Sequence, residues 1–449
     1  MPGLMGADDM RELMGAALEV PGADDVEVLA IHEWGGLTRF ASSAIHQNTW
    51  REDTGVKVRV VTQGRTAVAS TNDLSKEGAV RAAREALEIA VVAAPDPSYP
   101  GLAPKAPYPD LDGFHEAAAS MTPAQQAEEV AQIVGHATDG LEAAGAYETQ
   151  CVEVALANTE GQFCYHPGTQ ASVSVLMSGT DGGAGYAEAF GRSPEDLDRE
   201  LVGERAAQKA RDSANPRDLD LGRYDVVLEP LAVSTLIAFL GWLGFGGRQI
   251  WEGRSCFSGR IGEQVVSPAI EIYDDALAPD ALGMPFDFEG TPKRRVDLVT
   301  NGVAQGGVHD RRSATQAGTE STGHALPPPN PEGPFPLNVV VAPGEASFQD
   351  MIAATEKGLL ITRFHYSNVV HPREAIITGM TRDGTWMIEN GEVAYPVKNL
   401  RFTQSILEAL TNTEMVGAEA ELASEFFFAA SQVPALKLGG FHFTGKSDH

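Results

Sequence analysis

Eleven histidines and three cysteines are the residues of this 449-residue chain best suited to metal or nucleophilic chemistry, and their spacing limits what they can do. His32-Glu33 and His115-Glu116 begin like zinc-peptidase helices. No second histidine follows either glutamate by three or four residues, so neither completes a ligand pair. His365 and His371 flank an expected strand turn with Glu374 nearby, the residue types of a shallow metal site or of ordinary surface histidines. His309, Asp310 and Ser313 supply the types of a nucleophilic triad, but sequence neighbours rarely converge and no nucleophile-elbow pattern is present. Ser321-Thr322-Gly323-His324 is the better candidate. Its hydroxyls, small glycine and imidazole can line a cleft and hydrogen-bond a peptide backbone, or build a structural turn. The glycine-rich run Ser178 to Gly185 lacks both the Lys-Ser/Thr of a phosphate loop and the order of a dinucleotide site, and reads as a hairpin tip.

The elements that must hold these residues fall into two textures. Asp8 to Leu18 reads as a short helix, and Val26 to Ile31 and Gly36 to Ile45 alternate as strands. Val56, Val58 and Val60 face one way and Lys57 and Arg59 the other, a strand that turns at Gly64-Arg65 into Thr66 to Ser70. Asn72 or Asp73 is placed to cap an alanine-rich helix from Ser75 to Ala93, stopped by Pro95. Six prolines from Pro95 to Pro109 predict a linker or surface crossover. Thr122-Pro123 opens a helix to Val134. Glu148 to Asn158, Phe163 to His166 and Ser172 to Ser178 read as strands, and Ser193-Pro-Glu-Asp opens a long helix to Ser213.

Beyond Asn215 to Leu221 the texture changes to short strands between glycine and proline turns, with helices expected at Ser347 to Lys357 and Ser405 to Leu410. Its exception is Pro230 to Gly247, a block without one ionisable side chain. The four glycines and Ser-Thr pair of that block favour a buried helix and glycine-rich loop over a membrane span. The expected fold is α+β: an N-terminal α/β domain over 1–218, then a β-rich, barrel-like C-terminal domain over 219–449.

A formal charge of -29 repels phosphate backbones and disfavours nucleic acid as a partner. Cys151, Cys164 and Cys256 form neither a disulfide framework nor a CxxC pair, and Met1 to Asp9 has no basic or apolar signal-peptide core. A cytoplasmic setting, with no membrane partner, is expected.

The uncharged block, followed by Ser255-Cys-Phe-Ser-Gly-Arg-Ile-Gly-Glu-Gln-Val265, Phe288-Glu-Gly-Thr-Pro292, Ser321-Thr-Gly-His324 and Ile388-Glu-Asn-Gly391, resembles the C-terminal half of the TldD/PmbA family. Thr38 to Asn48 is similar to its N-terminal domain. The family pairs a zinc-peptidase subunit with a sister subunit lacking the zinc motif. The catalytic members carry His-Glu-x-x-x-His on a helix, and ungapped matching of Val226 to Leu228 and Phe257 to Gly259 puts Ala238, Phe239 and Leu243 at the two histidines and the glutamate. The family's further ligand cysteine is also missing, since no cysteine follows Cys256. The resemblance therefore implies the PmbA (TldE) branch: no catalytic residue and no metal in this chain, zinc in a TldD-like partner, and a peptide substrate, for which the residue types of Ser321, Thr322, Gly323 and His324 offer a contact. The rival reading is a homodimeric peptide-binding or scaffold protein that cuts nothing.

Overall fold

Strict alternation of valine with charged residues over Val56 to Val60 needs one buried and one polar face, and the computed structural model, which describes residues 3–279, 281–426 and 429–446, builds a sheet around it. The first half runs α1 (Ala7–Leu18), β1 (Asp25–Ala41), β2 (Ala44–Thr62), β3 (Arg65–Thr71), α2 (Lys76–Val92), α3 (Glu116–Ala119), α4 (Pro123–Val134), β4 (Glu142–Asn158), β5 (Phe163–Ser178), β6 (Ala184–Gly191) and α5 (Arg199–Asp212). The strands form one antiparallel sheet in the order β3-β2-β1-β4-β5-β6. Val28 and Ala30 of β1 and Val56, Val58 and Val60 of β2 meet Met10, Leu13 and Met14 of α1 and the alanines of α2. Further along the same face, Phe40, Tyr147 and Val173 meet Val130 and Ile133 of α4 and Val202 and Ala206 of α5. The helices thus cover one face of the sheet.

The opposite face, through Leu29, Leu156 and Cys164, is covered by Tyr108 of the proline-rich segment and by Met284, Phe286 and Phe288 of the second half. That half runs β7 (Gly222–Leu228), α6 (Pro230–Gly244), α7 (Gly247–Trp251), β8 (Ile272–Asp274), β9 (Val296–Thr300), β10 (Val303–Ala304), α8 (Arg311–Ala317), β11 (Val339–Val341), α9 (Phe348–Ala353), β12 (Lys357–His371), β13 (Ile376–Glu389), β14 (Glu392–Pro396), β15 (Leu400–Ser405), α10 (Ile406–Thr411), β16 (Thr413–Phe426) and β17 (Ala429–Lys446). Its sheet follows β10-β9-β8-β11-β17-β15-β13-β12-β7, and β7 also pairs with β17. That second pairing closes β7, β12, β13, β15 and β17 into a five-strand ring, the barrel-like, β-rich C-terminal domain expected of an α+β chain. Among the described residues no helix is long and apolar enough to cross a membrane.

Several sequence expectations need correction. The two strands around Gly35 are one, β1, and the turn falls at Ser42 and Ser43, both at positive φ. Phe163–His166 and Ser172–Ser178 also join, across Pro167. Pro167 pairs with Glu153 of β4 where β6 has not yet begun, so its missing N–H breaks no ladder. Ser75, not Asn72 or Asp73, caps α2, accepting from the Gly78 amide at 3.0 Å. The helix expected from Ser193 is divided. The Asp196 carboxylate accepts from the Arg192 and Ser193 amides, closing a single turn, Leu197 is extended and buried, and Asp198 caps α5 afresh.

Candidate functional site

An apolar segment with no charge on any side is a helix meant for burial, and Pro230 supplies a first-turn residue whose absent N–H is not needed there. α6 packs on β12, β16 and β17, with Leu236, Ile237, Phe239, Leu240 and Leu243 in the core of the second half. Phe239 is 2 % and Leu243 8 % exposed, whereas Ala238 is half-buried and Trp242 is 51 % exposed. The helix ends at Gly244, where Ser255 Oγ donates to the Gly244 carbonyl (2.7 Å) and accepts from the Phe257 amide (2.9 Å). This lays Phe257 against Phe245, ring centres 5.3 Å apart. At its other end, Glu229 binds Lys209 of α5 and accepts from Thr362 Oγ1, at a recess also lined by Tyr186, Glu188, Arg205 and Glu421. The recess lies between the two halves.

Zinc does not fit α6. Ala238, Phe239 and Leu243 have no donor atom in their side chains, and Phe239 and Leu243 lie in the apolar core of the second half. Among the described residues no three His, Cys, Asp or Glu side chains gather as ligands, His365, His371 and Glu374 included. Burial, followed by the charges of Arg363 and Arg382, pushes the His365 imidazole pKa down.

Ser321 to His324 form a turn against His309. Ser321 Oγ donates to the His309 carbonyl (3.1 Å), and Thr322 Oγ1 accepts from the His309 amide (2.7 Å). His324, 1 % exposed, places Nε2 2.8 Å from Asp274 Oδ1 and Nδ1 2.9 Å from Thr322 Oγ1. Gly323 takes φ +76°, and a Cβ there would lie 2.6 Å from the Pro292 carbonyl, so the turn requires glycine. The hydroxyls and imidazole bond within the chain, with Ser321 the most exposed of the three side chains. His309 Nδ1 does reach Ser313 Oγ, at 3.2 Å, but Ser313 is wholly buried and Asp310 caps α8 instead of orienting the imidazole. The triad geometry is absent. His32 is held between Glu153 (3.0 Å) and Glu52 (3.1 Å), and Ser178 to Gly185 is the β5–β6 connection.

Sequence reasoning missed the charged cluster between the halves. Arg59 Nη1 lies 3.2 Å from Glu27 Oε1 and 3.5 Å from Glu289 Oε1, and Glu289 Oε2 accepts from the Arg311 amide (3.1 Å). Burial pushes the Glu27 carboxyl up to about 7 despite the pull of Arg59. Burial and Glu289 likewise push Asp287 up to about 7, against three backbone amides that hold it down. Arg311 and Arg312 also clasp the proline-rich segment, through the Pro100 and Gly101 carbonyls and the Asp96 carboxylate. The expected surface crossover is therefore tied down along its length. The one signal for this was Arg59 itself, a cation opposite Glu27 in the ladder.

Three models of one family match the chain in order: PmbA/TldA metallopeptidase domain 1 over residues 26–90, the central domain over 116–214 and the C-terminal domain over 221–445. The chain belongs to the PmbA/TldD family. It is 26% identical over 450 residues to the metalloprotease PmbA of Escherichia coli O157:H7, covering 96% of each chain. A PmbA homologue of Haemophilus influenzae, also called a metalloprotease, is 26% identical, with 83% of this chain and 82% of that one covered. The crystal structure of TldE from Thermococcus kodakarensis shares the fold, with TM-score 0.89, 21% identity, and coverage of 97% of this chain and 100% of that one. These relatives link the PmbA/TldD fold to peptidase function.

Proposed function

We propose that this chain is the non-catalytic, TldE-like subunit of a cytoplasmic metallopeptidase complex acting on unfolded or precursor peptides. The observation that carries this reading is α6: Ala238, Phe239 and Leu243 stand at the positions matched to the ligand motif, and two of them are packed as core. Zinc and general base then come from a TldD-like partner. This chain completes the chamber wall and holds extended substrate by strand-like backbone contacts. Within it, the Asp274–His324–Thr322 bonds fix the shape of the turn, and Ser321 is its side chain nearest to reaching a peptide. The charge of -29 keeps nucleic acid out of the scheme.

The test is co-purification from the native cell, metal analysis of each separated subunit, and a peptide-cleavage assay on each alone and on the mixture. Zinc in the partner only, with chelator-sensitive cleavage by the mixture and loss of turnover when the partner's motif glutamate is replaced, is the expected result. Chelator-resistant cleavage by this chain alone would refute it. Recovery as a homodimer with no such partner favours the scaffold reading.

A further inference from the structure

Glu27 of β1 and Arg59 of β2 stand opposite each other in the ladder, and the guanidinium nitrogen that lies 3.2 Å from Glu27 also lies 3.5 Å from Glu289 of the second half. One cation thus faces a carboxylate of its own sheet and a carboxylate from across the seam. The carboxylates here are not equivalent. Glu289 accepts from the Arg311 amide, and Asp287 beside it accepts from the Glu289, Thr291 and Ala325 amides. Neither oxygen of Glu27 has a hydrogen-bonding partner among the described residues, since Arg59 approaches it out of hydrogen-bond alignment. A buried carboxylate without donors keeps its proton in preference to neighbours that have them.

Charge balance agrees. Arg59 and Arg311 face Glu27, Asp287 and Glu289, two cations against three carboxylates, so one proton on Glu27 leaves the five groups neutral. Of the other charges around them, Asp25 accepts from the Tyr99 hydroxyl, Asp96 is paired with Arg312, and Lys57 stands two residues before Arg59 on the same strand face. What Glu289 holds in place is the turn over 287–291. There the Gly290 carbonyl accepts from Gln162 Nε2 at 2.9 Å and lies 3.8 Å from Cys164 Sγ, and a Cβ on Gly290 would stand 2.7 Å from Leu156. Cys164 is buried beneath this turn.

We propose that Arg59 is a proton-controlled clasp between the halves: while Glu27 carries a proton the guanidinium binds Glu289 and seats the 287–291 turn over Cys164, and when Glu27 ionises the guanidinium turns to Glu27 and the turn lifts. Glu27 gives up its proton more readily once the turn has lifted. Opening is therefore favoured as pH rises from the ordinary carboxyl value of 4.5 to the closed seam's value of about 7, and gains nothing further above it. The probe is alkylation of Cys164 by N-ethylmaleimide in the purified chain, located by mass spectrometry and divided by the rate in the urea-unfolded chain at the same pH, which removes the thiol's own pH dependence. That ratio should rise by about tenfold or more from pH 5 to 7 and level off above 7. The ratio at Cys256, in the core of the second half, should stay flat. Glu27→Gln, neutral at every pH, should hold the Cys164 ratio at its pH 5 value throughout. Glu289→Gln should raise the ratio at pH 5 and remove most of the rise, because the seam then has no clasp to lose. A flat native profile, a full rise surviving in Glu27→Gln, an unchanged rise in Glu289→Gln, or a parallel rise at Cys256 would overturn the proposal.

Discussion

Replacing Glu27 by glutamine should change how stability depends on pH more than it changes stability at any one pH. Glu27 is 1 % exposed, sits opposite Arg59 in the β1–β2 ladder, and titrates near 7 instead of 4.5 because burial disfavours its charge. Below about pH 4.5 the folded and unfolded chains both hold this proton. Between 4.5 and 7 only the folded chain holds it, so each rise in pH costs stability, and above 7 the loss is complete. The window spans about 2.5 pH units, on the order of 3 kcal/mol at 1.36 kcal/mol per unit. Glutamine has the same length and no proton to lose, so the Glu27→Gln chain should gain on the native one steadily from pH 5 to 7.5. Urea unfolding of both proteins at half-unit steps measures the difference directly, with all other carboxyls common to both. Parallel curves would show that Glu27 is ionised in the folded chain throughout, and that the Arg59 pairing outweighs burial.

Leu243→Asp should lower stability by several kcal/mol, since the side chain is in the apolar core around α6, whereas Trp242→Ala, half exposed one residue earlier, should cost far less; thermal melts compare them. Gly247→Ala should destabilise by roughly 1–3 kcal/mol, because a Cβ there would stand 2.2 Å from the His309 ring, and adding His309→Ala should recover much of the loss in a double-mutant cycle. Elemental analysis after dialysis should find no stoichiometric zinc in the isolated chain, with no change on replacing His365 or His371; about one tightly held zinc per chain would contradict the reading of α6.

Local chemistry made much of this fold legible. The Thr122-Pro123 start, the Val56 to Val60 alternation and the helix from Pro230 each carry their cause within a few residues, and the structure keeps all three. What failed depended on distant partners. Arg59 reads as the solvent side of a strand until Glu289, some 230 residues later, meets it. Pro95 to Pro109 reads as loose until Arg311 and Arg312 are seen to hold it. Ser193-Pro194 has every mark of a helix start, and only the two hydrogen bonds that the Asp196 carboxylate accepts from the Arg192 and Ser193 amides show why the turn stops. For the candidate site, sequence spacing disposed of the histidine pairs, but it could not show that Thr322 and His324 are spent on His309 and Asp274.

The face of the first sheet that carries Leu29 and Leu156 is finished when β6 ends at Gly191, yet Phe286, which covers it, comes about a hundred residues later in the chain. At synthesis rates of about 5–20 residues per second, the nascent sheet leaves the ribosome with that apolar face covered by Tyr108 but without Met284, Phe286 and Phe288 for roughly 5–20 s. Ribosome-bound chains stalled before Met284 should therefore recruit a holdase that chains stalled well beyond Glu289 do not, which makes the order of translation a hazard this architecture must survive in every round of synthesis.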